Sequence, residues 1–98
     1  MIEKQIENYL VKKVRNAGGV AFKFVSPGNA GVPDRLVLLP KGIVAFVEVK
    51  SKGKKLRGIQ EAKKRQIEKL GFKVYVVDEK EKVDELMNSF VLLSELNS

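Results

Sequence analysis

Val32-Pro33-Asp34-Arg35-Leu36-Val37-Leu38-Leu39-Pro40-Lys41-Gly42-Ile43-Val44-Ala45-Phe46-Val47-Glu48-Val49-Lys50 reads as two apolar strands joined by a tight turn. Arg35–Leu39 and Ile43–Val47 are near-continuous apolar runs, the pattern of strands covered on both faces, and Pro40-Lys41-Gly42 has the chemistry of a hairpin turn. If those three residues form the loop, with Gly42 in the left-handed position, Leu39 pairs with Ile43 and Asp34 faces Glu48. A two- or four-residue loop would shift the partner by one. Directly opposed residues place their Cβ atoms about 4.5–5.5 Å apart, and like charges so placed repel. Side chains alternate along a strand, so Phe46, Glu48 and Lys50 share one face. The hairpin therefore gathers two carboxylates and a lysine at one end.

Outward from the hairpin, the other elements follow from periodicity and punctuation. Ile2, Ile6, Leu10 and Val14 recur every fourth residue and mark an amphipathic helix over Ile2–Ala17, closed by Gly18-Gly19. Val20–Val25 reads as a strand, and Ser26-Pro27-Gly28-Asn29-Ala30-Gly31 as a loop that delivers the chain to Asp34. Ser51-Lys52-Gly53-Lys54-Lys55 is a short basic loop. A helix over Arg57–Leu70 stops at Gly71, and a strand over Lys73–Val77 precedes a helix over Lys80–Ser89. The order αβββαβα gives a single α/β domain over residues 1–98, with a mixed sheet flanked by helices.

The composition narrows the chemistry. A chain of 98 residues with 44% hydrophobic content supports one modest core. It has neither cysteine nor histidine. That excludes disulfides, thiolate or imidazole zinc sites, Ser-His-Asp triads and cysteine nucleophiles. What remains is carboxylates, lysines, hydroxyls and a hard cation such as Mg²⁺ or Mn²⁺, which suits phosphate substrates. No run approaches the roughly 18–20 apolar residues of a membrane span, and the N-terminus lacks a signal peptide's layout, so the expectation is a cytoplasmic protein without a membrane partner.

The net charge of +7 is concentrated. Lys50–Lys73 holds ten basic residues against Glu61 and Glu68, while the rest of the chain is close to neutral. A charge run is usually a solvated face. Placing the whole excess in one segment instead favours a polyanion-binding surface, with Lys52, Lys54, Lys55, Arg57, Lys63 and Lys64 as the candidate phosphate contacts.

An uncompensated carboxylate pair either raises one pKa or demands a cation. A divalent metal on Asp34 and Glu48, with the Val49 carbonyl as a third oxygen, resolves the repulsion and supplies a catalyst for phosphodiester hydrolysis. Lys50 would orient the attacking water or stabilise developing negative charge. The bland alternative is a surface Glu–Lys pair, which is common and contributes little. Glu7 lies beside the Ile2, Ile6, Leu10 stripe, either at the edge of the core as a site residue or as a solvated charge. Gln60, early in the second helix, could cap it, bind water near the metal or touch substrate.

Taken together, Gly31-Val32-Pro33-Asp34-Arg35, Phe46-Val47-Glu48-Val49-Lys50 and Gln60 at a helix start resemble the PD-(D/E)XK nucleases, and within them the virus-type replication-repair nuclease (VRR-NUC) family. The resemblance extends to Ile6-Glu7 with Leu10, to Lys23, and to Gly71-Phe72-Lys73-Val74. It implies a restriction-endonuclease-like fold and cleavage of DNA with Mg²⁺ or Mn²⁺, with Glu7, Asp34, Glu48 and Lys50 as matching site positions and Glu7 joining Asp34, Glu48 and Val49 as a metal ligand. It also implies kinship with phage and prophage nucleases that act as homodimers on branched DNA such as four-way junctions. Cutting two strands symmetrically calls for two sites related by a two-fold axis. The apolar Phe90-Val91-Leu92-Leu93, with Leu96, would either build that interface or pack back onto the core. The competing reading is a nucleic-acid-binding module without catalysis, which leaves Asp34 and Glu48 unexplained.

Overall fold

The computed structural model describes residues 1–96. Its elements are α1 (Glu3–Asn16), β1 (Val20–Lys23), β2 (Arg35–Leu39), β3 (Ile43–Val49), α2 (Gly58–Lys69), β4 (Lys73–Val77) and α3 (Lys80–Leu96). The four strands form one sheet in the order β1-β2-β3-β4, antiparallel across the first three and parallel between β3 and β4. α2 supplies the long connection that a parallel pair requires.

The hairpin register is the expected one, with Leu39 opposite Ile43 and Arg35 opposite Val47. Its turn differs in one detail. Lys41 as well as Gly42 has a left-handed backbone, at φ 69° and 75°. A non-glycine residue there is uncommon. The Lys41 Nζ donates to the Ser94 carbonyl at 3.2 Å, tying the turn to the end of α3.

α1 and α3 cover one face of the sheet. Ile6, Leu10 and Val14 from α1 and Val83, Leu86 and Phe90 from α3 bury against Val37, Ala45, Val47 and Val49. Tyr9 on α1 donates a 2.7 Å hydrogen bond to Asp84 on α3, and Phe90 meets Tyr75 edge to face. Ile2 does not join the stripe. It precedes the first helical turn and is 62% exposed.

Three expectations need correction. The first strand ends at Lys23 rather than Val25, because Phe24 makes the last pairing, to the Asp34 carbonyl, and Val25 turns out to solvent. The last helix runs to Leu96 rather than Ser89: Phe90 continues the Val83, Leu86 stripe and nothing before Leu96 breaks the helix. The strands are not covered on both faces. Among the described residues α2 is the only helix on the second side, where it packs against β4, and none of its residues is buried.

Candidate functional site

The site lies where the hairpin ladder stops and side chains take over its hydrogen bonds. Beyond the Arg35–Val47 pair, the Asp34 N–H donates to Glu48 Oε1 at 3.1 Å, and the Val49 N–H donates to Asp34 Oδ2 at 2.9 Å. Each carboxylate is therefore fixed by a main-chain donor of the opposite strand. This reciprocal clasp holds two acids together in a region where directly opposed like charges are otherwise unfavourable.

Glu48 is 3% exposed, the one buried charged residue among those described. Burial, then its hydrogen bond to the Asp34 carboxyl and the charge there, push its pKa from 4.5 up to about 7, against the opposing pull of Lys50 and the Asp34 N–H. Desolvation and a like charge both disfavour the ionised form, so a proton is retained where no cation neutralises the pair. Lys50 Nζ stands 3.6 Å from Glu48 Oε2 with its side chain largely buried, so it lies against the carboxylate pair and is not a solvated surface charge.

Gln60 joins the same carboxylate. Its Oε1 accepts the Arg57 N–H at 2.9 Å, capping the start of α2, while its Nε2 donates to Glu48 Oε2. Of the roles open in the sequence, capping is met, and it is combined with a direct contact to Glu48. The approach of α2 depends on Gly31. Its backbone is left-handed, at φ +87°, and a Cβ there would stand 2.7 Å from the Ile59 carbonyl oxygen. Gly31, Pro33, Leu56 and Gln60 thus close around Glu48.

Glu7 is not gathered into the carboxylate pair. Its Oε2 accepts from Arg35 Nε at 3.0 Å, and Arg35 Nη1 donates to the Ala21 carbonyl at 3.0 Å. Both side chains are mostly buried, 16% and 17% exposed. Glu7 therefore grips the residue next to Asp34, from the side of the sheet covered by α1. Among the described residues no group of three or more acids is arranged to hold a metal ion. Asp34 and Glu48 are the side chains able to share one, and Mg²⁺ is commonly held by one or two carboxylates with water filling its remaining positions.

The basic segment is partly spoken for. Lys52 pairs with Glu79 at 2.6 Å, Lys64 with Glu68 at 3.1 Å, and Lys63 reaches Gln66 at 3.4 Å. Lys54, Lys55 and Arg57 are exposed and form no ion pair among the described residues. The loop that carries Lys54 and Lys55 is anchored by the end of β4: Lys50 N–H donates to Val77 O, and Gly53 N–H donates to Asp78 Oδ2, both at 2.9 Å. Those contacts, first the Gly53 N–H and then Lys82 3.0 Å away, hold the Asp78 carboxyl below its usual range. Neither Arg35 nor Asp78 stood out in the sequence as a supporting residue. The only signal was a charge bordering an apolar strand.

The model of the VRR-NUC domain family matches residues 3–81. A protein from Acyrthosiphon pisum secondary endosymbiont phage 1, named "Putative nuclease p44", is 50% identical over 76 residues, which span 78% of this chain and 82% of that one. A solved structure described as a VRR_NUC domain superposes with a TM-score of 0.83 at 32% identity, covering 88% of this chain and 94% of its own.

Proposed function

Because the chain belongs to the VRR-NUC family of nucleases, we propose that it is a metal-dependent deoxyribonuclease of the PD-(D/E)XK type, selective for branched DNA such as four-way junctions. In this reading it works as a homodimer in the cytoplasm of a bacterial host. The observation that supports it best is the clasp between Asp34 and Glu48, two acids held together by each other's strands, one of them pushed up to about 7. A structural ion pair has no use for a second carboxylate against a buried first one.

Asp34, Glu48 and the Val49 carbonyl are the groups that would hold Mg²⁺ or Mn²⁺. When bound, the cation supplies Lewis acidity toward the phosphoryl oxygens and a water nucleophile near neutral pH. The chain's own groups do the rest. Lys50 sets a positive charge beside Glu48, where it steadies the ionised carboxylate and faces charge developing on the phosphate. Gln60 fixes the rotamer of Glu48 through its amide, and Glu7 acts through Arg35 as a positioning residue for the strand that carries Asp34. Lys54, Lys55 and Arg57 are free to meet backbone phosphates, with Lys63, Lys64 and Lys52 beside them once DNA competes for their partners.

Labelled linear duplex, flap and four-way-junction DNA, incubated with the purified protein with and without Mg²⁺ or Mn²⁺, tests the reading. Cleavage of the junction that requires the metal is the expected result. Binding without cleavage under any metal condition would assign the chain to the non-catalytic module instead.

A further inference from the structure

The side of the sheet away from α1 and α3 has no covering layer over most of its extent. By alternation from the observed register, Val20 and Phe22 on β1, Leu36 and Leu38 on β2, and Val44 and Phe46 on β3 all point to that side. Antiparallel strands with one solvated face ordinarily carry polar residues there. Here every such position is apolar until the chain reaches Asp34 and Glu48. Phe24, Phe46 and Phe72 form a row across the sheet, with ring centroids 5.6 and 6.1 Å apart. Phe22 is 54% exposed and Phe72 45%, and Val20 and Val44 are open as well.

Beside this face stands α2, which buries none of its residues although Ile59 lies on it and Leu70 follows directly, 74% exposed. At roughly 150–200 Å² for a large apolar side chain, these six residues present on the order of 500 Å² to water. That is at the upper end of the ~300–600 Å² patch found on monomers. With the half-buried Leu36, Leu38 and Phe46 filling the space between them, the face nears the ~800 Å² that each partner contributes to a standard interface.

We propose that this bare sheet face, with the adjoining ridge of α2, is where a second copy of the chain docks. One chain carries both halves of the match, an uncovered sheet and an unburied helix ridge next to it. A two-fold axis lays the ridge of each copy on the sheet of the other, and an isologous contact requires that kind of self-complementarity. None of the β1–β3 positions on this face is charged before the carboxylates, Lys54, Lys55 and Arg57 lie on the loop and helix start beyond β3, and on α2 itself Lys63 reaches Gln66, Lys64 pairs with Glu68 and Arg65 stands 4.0 Å from Glu61. Glu48 points to the same side as Val44 and Phe46, so the pairing brings two carboxylate sites into one assembly. The assignment rests on the proposal that the nuclease works as a dimer. It moves the interface away from the other exposed apolar surface, Val91, Leu92 and Leu96 on the last turns of α3.

The test is light scattering across a concentration series on the wild type, on Phe22→Asp/Phe72→Asp, on Leu70→Asp and on Leu92→Asp/Leu96→Asp, with circular dichroism to verify folding. Leu70 follows α2 and is mostly exposed, so its variant keeps the test valid if the double Phe variant misfolds. The expected result is a wild-type dimer whose Kd rises at least thirtyfold in the Phe and Leu70 variants and stays within threefold in the α3 variant. A dimer lost only in the α3 variant, or one that survives the Phe and Leu70 changes, overturns the surface while leaving the dimer standing. A wild type monomeric at every concentration overturns both, and metal-dependent cleavage by that monomer would leave the nuclease reading intact. A monomer whose Phe22 and Phe72 variant loses affinity for a single-stranded oligonucleotide gives the face to unpaired bases, and also overturns the proposal.

Discussion

Replacing Glu48 with Gln should make the metal-free protein markedly less sensitive to pH. In the native state the carboxyl of Glu48 titrates at about 7, against 4.5 when unperturbed. Below about 4.5 it is protonated in both folded and unfolded chains. Between about 4.5 and about 7 the unfolded chain releases the proton while the folded one keeps it, so stability falls as pH rises through that window and levels off above it. At about 1.4 kcal/mol for each pH unit, the loss comes to ~3 kcal/mol. For a domain of this length that is a fall of roughly 10 °C or more in Tm. The amide of Glu48→Gln cannot ionise, although its –NH₂ faces the Gln60 donor and forfeits a hydrogen bond, about 1 kcal/mol at every pH. The readout is therefore the slope and not the level. Thermal or urea unfolding from pH 4 to 8.5 without metal should show the wild type falling by ~3 kcal/mol relative to the variant. Saturating Mn²⁺ binds the ionised pair and should erase most of that decline in the wild type alone, since a ligand at a hundredfold its Kd adds ~2.7 kcal/mol. Parallel stability curves for the two proteins would refute the account of Glu48 as a carboxyl held protonated by its burial and by the Asp34 carboxyl beside it.

Lys50→Ala should keep the stabilisation by Mn²⁺ but lower turnover at least tenfold; cleavage at the wild-type rate would reduce Lys50 to a passive ion-pair partner of Glu48. Charge reversal at Lys54, Lys55 and Arg57 should weaken binding to DNA of any sequence and flatten its salt dependence, whereas Lys52→Glu, whose wild-type ammonium is engaged by Glu79, should matter less. A fluorescence titration at two or more salt concentrations separates these outcomes. Asp78→Ala should free the loop that Gly53 anchors and cut DNA affinity severalfold while leaving metal binding unchanged, and Asp78→Asn, which retains an acceptor for the Gly53 N–H, should recover most of it. Equal affinity in both variants would mean that the loop holds its shape without that anchor.

The hairpin was legible because its register depends on a local feature, the Pro40-Lys41-Gly42 turn, and the clasp of Asp34 and Glu48 follows from that register. Strand alternation put Lys50 on the face of Glu48, and the helix signals put Gln60 at the start of α2, where capping was one of three roles left open and the contact with Glu48 was not foreseen. Glu7 was harder to read. Its row on α1 brought it to the edge of the core, but its partner Arg35 lies 28 positions away and the pairing exists only after the helix packs on the sheet. The same limit applies to the ion pair of Lys52 with Glu79, 27 positions away, which exists only once the fold brings the two together. The branched and aromatic runs of β2 and β3 suggested two covered faces. Apolar strands register a demand for cover and not its source, and among the described residues α2 is the only helix on that side. Phe90 was open to either role, and its place on the Val83, Leu86 stripe resolves it into the core while Leu92 and Leu96 remain outside.

The most direct test of the central claim is cleavage of a four-way junction by the wild type, Asp34→Ala and Glu48→Ala over a titration of Mg²⁺ or Mn²⁺, with metal binding measured on the same samples by calorimetry. Metal-dependent cleavage by the wild type is expected, together with at least a hundredfold loss of turnover in both variants, weakened metal binding, and retained affinity for the junction at low salt. Wild-type turnover in either variant, or cleavage that persists after all divalent cation is chelated, would contradict it.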